Sequence, residues 1–322
     1  MGPLARFANV FLSPGSVFED IRRDPRGWLV PVIICAAVVA AFVGLYFARY
    51  DLPVVYKEYL RESFGIKLAG MLGGPEARDK ALEQATQQIA SAPLWQMQAS
   101  ALTNTLIGFI AVVWFFTFLY GLIALLLGWL PAGTSGKKLF VNLGIVLGIG
   151  VAFAVVSGAV QVAAAAAGGA GDTAAAAASP DWAAAVALLL ALTALGGTAW
   201  AMQRLAREPA YGRIMTTVSY SLAPSAISGI VGILIVLLRT PDATWIADIV
   251  PADLTLLLNL KDSSAVLASL GSSLGLFSLW SLALAILGLA TVLGRKTGEA
   301  AALVLVPWGL WVLVKLVFAA AF

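Results

Sequence analysis

Residues 214–238 read IMTTVSYSLAPSAISGIVGILIVLL, a run of 25 uncharged residues between Arg213 and Arg239. A helix needs about 20 apolar residues to cross roughly 30 Å of hydrocarbon, and a charge within it is costly. The run therefore fits one transmembrane helix, near 216–238. Its one irregularity is Pro224, which has no amide hydrogen to offer the carbonyl of Tyr220 and marks a kink. Working outward, charge-free gaps recur on both sides. They give further spans near 28–48, 101–130, 139–162, 182–203, 272–293 and 300–320. Pro307 interrupts the last of these in the same way, at the carbonyl of Leu303, and Lys315 lies inside it. The expected fold class is all-α: a polytopic transmembrane helix bundle of about seven spans with an N-terminal interfacial amphipathic segment. Residues 1–27 form that segment, 28–322 a single transmembrane domain, and 49–95 an extracytoplasmic helical loop.

Composition agrees. Of the 322 residues, 61% are hydrophobic and only 11% charged, against roughly a quarter charged in soluble domains; the mean hydropathy is +0.92. The chain has no histidine and one cysteine, Cys35. A Ser-His-Asp triad, a His-Glu-x-x-His zinc site, an imidazole relay and an internal disulfide are thereby ruled out. None of the 17 carboxylates falls inside a predicted span, which argues against a carboxylate-driven antiporter or an intramembrane aspartyl protease. Lys315 lies ~22 Å along its helix from the charged start and is expected to snorkel to the outer headgroups. No catalytic, cofactor-binding or metal-ligating residue is identified, and no cofactor or nucleic-acid partner is expected.

Orientation follows from the basic residues, which favour cytoplasmic loops. With the N-terminus inside, the inner segments hold 11 Lys and Arg residues. The outer loops hold eight, six of them in the long first loop beside six acidic residues. The 27 residues before the first span exceed the n-region of a signal peptide, so that span is read as uncleaved. Arg6 stands where a myristoylation signal needs Ser or Thr. Trp28, Trp129, Trp182, Trp245 and Trp311 are read as interfacial belt residues.

In the N-terminal segment, Phe7 and Phe11 recur at helical spacing. Ser13-Pro14 is a helix start, with Ser16-x-x-Glu19 as an alternative capping box. Phe18 and Ile21 then share a face opposite Arg22 and Arg23, with Arg26 following. These seven residues are the membrane-interface candidates, lying in the cytoplasmic headgroup plane. In the outer loops, helices are expected from about 75 to 90 and near 254–260. Around Pro224, Ser219, Ser221 and Ser225 either re-satisfy freed carbonyls or open a shallow polar vestibule. Small-xxx-small patterns, such as Ser225-x-x-x-Gly229, are read first as packing within the bundle and second as a dimer face.

The motifs resemble a known family. Phe11-Leu12-Ser13-Pro14, Phe18-Glu19-Asp20-Ile21-Arg22, Pro25 and Trp28 look like the opening of bacterial members of the YIP-one family (Ypt/Rab-interacting membrane proteins). Tyr220-Ser221-Leu222-Ala223-Pro224 resembles its Tyr-x-x-x-Pro helix, and Leu276–Leu282 followed by Gly288 its penultimate helix. Gly275 departs from the acidic residue often found there, and seven spans exceed the five usual in eukaryotic members. The resemblance implies a multi-span helical protein linked, in eukaryotes, to vesicle traffic and small GTPases. GTPase binding is not carried over, because the N-terminal region here is short. The expected function is that of a non-enzymatic integral membrane protein organising the bilayer or membrane-protein partners. The alternative is a lipid scramblase or small-solute permease built on the Pro-kinked helices. The expected partners are the lipid bilayer and, beyond it, other membrane proteins or a second copy. The expected location is the bacterial inner membrane, multi-pass, with the N-terminus cytoplasmic.

Overall fold

A computed structural model describes residues 1–50, 74–83, 86, 94–167, 181–239, 249–250 and 265–321. Among them there are helices and no strand. Two short helices, α1 (Pro3–Leu12) and α2 (Pro14–Arg23), precede α3 (Leu29–Arg49). Residues 74–83 are helical. Then come α4 (Leu94–Leu126), α5 (Gly136–Ala167), α6 (Asp181–Ala206), α7 (Pro209–Ser221), α8 (Ala223–Leu238), α9 (Ala265–Ser273), α10 (Leu276–Leu293) and α11 (Thr297–Ala321). By length and composition, five segments of the described residues could cross a membrane: Leu29–Arg49, Gly108–Leu126, Pro209–Leu238, Leu276–Leu293 and Thr297–Val317. Helices α5 and α6 cover the other two predicted spans, 139–162 and 182–203. The full count of seven is not established by these five. The helix expected from 75 to 90 is described over 74–83, whereas the one near 254–260 lies outside the described residues.

Three boundaries differ from the sequence reading, each for a local reason. Helix α4 begins at Leu94, one to two turns before 101, because Trp95-Gln96-Met97 contains no residue that breaks a helix. The 216–238 span begins at Pro209, where proline suits the first helical position, and is divided at Leu222. The 272–293 span is divided too: α9 ends at Ser273, and Gly275 is extended (φ −69, ψ 141) before α10 starts.

The bundle is held by pairs of helices whose small residues allow close approach. Helix α8 packs on α3. A Cβ added to Gly229 would lie 2.8 Å from Val38 Cγ1, and one on Gly232 would lie 2.8 Å from Phe42 Cε2. The Ser225-x-x-x-Gly229 pattern is thus occupied inside the chain. On α5 and α6, Gly197 approaches Ile149 in the same manner.

The basic turns converge at one end. Lys138 pairs with Glu208, and the Arg295 guanidinium lies 5.2 Å from the centroid of the Trp129 ring. At the opposite end Arg49 donates to the Leu237 carbonyl (2.8 Å), supplying a cation and a donor to the last turn of α8, where carbonyls lack partners.

Candidate functional site

The two helix breaks generate the most distinctive feature of the bundle. At Leu222 the chain stays near helical geometry (φ −80, ψ −5) but closes with short-range bonds. Pro224 forces this, since its ring would collide with the carbonyl four residues back. The serine hydroxyls do not reach the Tyr220 carbonyl. Ser219 bonds Met215 O (2.8 Å), Ser221 bonds Val218 O (2.7 Å) and Ser225 bonds Leu222 O (2.5 Å). The Cys35 thiol also donates to Leu222 O, at 3.5 Å. Pro307, by contrast, sits inside an unbroken α11.

The breaks at Leu222 and Gly275 border a cavity of about 490 Å³. Ser221, Ser225 and Ser228 form one wall, Ser272 and Ser273 the rim, and Ser278 and Ser281 the facing wall; Trp308, Trp311 and Lys315 line the α11 side. The Lys315 ammonium donates to Ser273 Oγ at 2.9 Å. The side chain is half-buried and turned to a serine at the C-terminal end of α9, three residues before α10 begins. Among the described residues no carboxylate lines the cavity. The volume falls within the range of small-molecule sites, and hydroxyls with one cation suit a polar or anionic group flanked by apolar walls.

One helical turn toward the basic end, the space closes. A Cβ on Gly288 would meet Thr217 Cγ2 at 2.4 Å and Phe18 Cε1 at 2.7 Å. Phe18 comes from α2, so the N-terminal segment forms the layer beneath the cavity. That segment is an α1–α2 hairpin stitched to the bundle. Helix α2 starts at Pro14, with Ser13 preceding it, as the first of the two readings expects. Arg6 is 1% exposed. Its Nε donates to Asp20 Oδ2 (2.6 Å) and its Nη1 to the Arg26 carbonyl (2.7 Å). Tyr220 donates its hydroxyl to Pro3 O (2.9 Å), and Thr216 donates to Pro25 O (2.6 Å). The hydrogen bond from the terminal ammonium, joined by that from Arg6, holds the Asp20 carboxyl below its ordinary value of 3.8 and outweighs the opposing effect of burial.

The interface candidates therefore separate. Phe18 and Ile21 have no exposed surface and belong to the protein core. Phe7 and Phe11 are half-buried on the bundle, Phe11 meeting Trp280 edge-on with centroids 5.6 Å apart. Arg22, Arg23 and Arg26 face outward, with side chains 50%, 76% and 90% exposed. So do Leu4 and Leu12 of α1. The amphipathic pattern was legible, but an apolar stripe does not say whether lipid or protein covers it. Trp28 is likewise no belt residue: it is buried and donates to Gln203 Oε1 at 3.0 Å. Trp311 is exposed, as a belt residue would be.

Sequence reasoning missed Arg6, which reads as one more basic flank residue. It also missed the serines at 228, 272, 273, 278 and 281, which are separated by up to 53 positions. The density of serine in otherwise apolar spans was the available signal. No curated protein and no solved structure matches the chain. The family model of the Yip1 domain matches residues 139–319, which is more than half of the chain and takes in the cavity serines and Lys315. The chain belongs to the Yip1 domain family.

Proposed function

We propose that this Yip1 domain protein is a non-enzymatic organiser of the membrane or of proteins within it, acting from its basic end. The observation that carries the reading is the docked α1–α2 hairpin. It is fixed to α7 by hydrogen bonds from Tyr220 and Thr216. Its outward side offers Leu4, Leu12, Arg22, Arg23 and Arg26, the mixture that suits an anionic headgroup layer or a partner docked there. The convergence of basic turns at that end supports a cytoplasmic N-terminus by the positive-inside rule. The bacterial inner membrane is the setting that the opening motifs imply. Seven spans, with α5 and α6 counted, complete the proposed topology.

A second reading is favoured by the serine-lined cavity at membrane depth: a scramblase or small-solute permease. Against a through-path stands the packed layer of Phe18, Thr217 and Gly288. Reconstitution in liposomes with fluorescent-lipid scrambling and solute-flux assays separates the two. The organiser reading expects neither activity above protein-free vesicles. Scrambling or flux that disappears in Ser281→Leu would establish the carrier reading instead.

A further inference from the structure

A second, smaller cavity of about 140 Å³ lies at the basic end, where four parts of the chain meet. Arg22 at the end of α2 and Arg213 of α7 face it, and Trp129 of the α4–α5 turn forms a wall. Ala210, the second residue of α7, brings in first-turn backbone N–H groups that have no partner within the helix. Leu293, the last residue of α10, and Gly294 after it close it. Three features give it a sign. The Nε of Arg213 is buried without a hydrogen-bond partner. No carboxylate lines the cavity among the described residues. A third guanidinium, that of Arg295, lies 5.2 Å from the Trp129 ring centroid. Of the nearby acids, Glu208 is paired with Lys138, and Glu19 bridges Arg22 and Arg23 at 3.6 and 3.7 Å on the exposed side of α2.

A buried guanidinium N–H left unpaired is costly, and Arg213 would relieve that cost by turning its fork toward an acceptor held in the cavity. The planar guanidinium fork matches phosphate oxygens in pairs, and the volume suits one such group. We infer that this cavity is a phosphate-binding site, in which Arg22 and Arg213 grip one phosphate and tie the α1–α2 hairpin to α7 and the α4–α5 turn. The phosphate arrives either on a lipid headgroup in the adjacent leaflet or as a free anion. Arg213 is the inner ligand and Arg22 the outer one, half-exposed and exchanging its solvated 3.6 Å contact with Glu19 for the phosphate. The inference is independent of the serine-lined cavity; it shares Arg22 with the organiser reading, which the liposome assays test separately.

The test uses the full chain in nanodiscs and hydrogen exchange read over residues 14–23 and 127–131. Phosphatidic acid in a phosphatidylcholine background should slow exchange in both segments, roughly tenfold or more in the wild type. Arg213→Gln should abolish the slowing and Arg22→Gln should reduce it. Lys137→Gln, an exposed cation outside the cavity, should leave it unchanged. Millimolar inorganic phosphate in pure phosphatidylcholine discs identifies the source: slowing by phosphate alone assigns a free anion, and slowing only by phosphatidic acid assigns a lipid. No slowing by either probe overturns the site. So does slowing that persists in Arg213→Gln with its thermal unfolding unchanged, or slowing lost equally in Lys137→Gln, since either outcome would describe diffuse surface charge.

Discussion

Replacing Arg6 by methionine tests whether the N-terminal hairpin is fixed to the bundle by a buried charge. The side chain is 2% exposed, so methionine fills the space of its stem and the change is confined to the guanidinium. Two short bonds are lost, to Asp20 Oδ2 at 2.6 Å and to the Arg26 carbonyl at 2.7 Å. Hydrogen bonds to charged groups contribute about 1.5–3 kcal/mol each. The third contact, to Asp24 at 3.8 Å, is largely solvated and counts for little. Asp20 keeps the terminal ammonium and is 23% exposed, so its share is discounted for screening. That leaves about 2–4 kcal/mol for the docking equilibrium, or roughly 30- to 1,000-fold in exchange rate. The assay is hydrogen exchange in residues 3–23 of the detergent-solubilised chain. Arg26→Met is the control, because only the backbone carbonyl of Arg26 takes part and its side chain is 90% exposed. An Arg6→Met protein whose hairpin amides exchange within threefold of wild type would refute the argument.

Other expectations follow from the same contacts. Gly288→Ala should lower thermal stability by about 1–3 kcal/mol through overpacking, and Thr217→Ser, which deletes the nearest carbon, should recover part of the loss. Phe18→Ser removes a fully buried ring and should cost about 3–5 kcal/mol; Leu12→Ser, at an 83% exposed site, should stay within about 0.5 kcal/mol in thermal unfolding. Because the Asp20 carboxyl is held below its ordinary value of 3.8, its contribution to docking is complete above that pH. The contribution falls as the pH drops through the lower, folded value. Exchange in the hairpin, corrected for intrinsic rates, should therefore match at pH 7 and pH 5 and rise only on further acidification.

The helical class and the helical segments were legible because charge is expensive in hydrocarbon, and gaps between charges can be counted along one chain. Helix interruptions were half legible. The chain is divided at Leu222, two residues before Pro224, whereas Pro307 lies inside one continuous helix, since what a proline does to a helix depends on what its neighbours supply. What could not be read was anything formed by assembly. Phe18 shows a helical apolar face in sequence whether that face meets acyl chains or Gly288. Lys315 has the same spacing from its helix start whether it reaches water or Ser273. Arg213 counts toward orientation in the sequence, and only the fold shows its Nε buried beside Arg22.

The docking of the hairpin also fixes an order of events in biogenesis. Pro3 is held by Tyr220, and Phe18 packs at Gly288, so the receptor for the first residues is 200 to 270 positions downstream. At about 5–20 residues per second, synthesis alone delays docking by roughly 10–50 seconds. During that interval Phe18 and Ile21 lack the α7 and α10 surfaces that cover them in the folded chain. Completion of α10 then supplies the surface against which this apolar face closes.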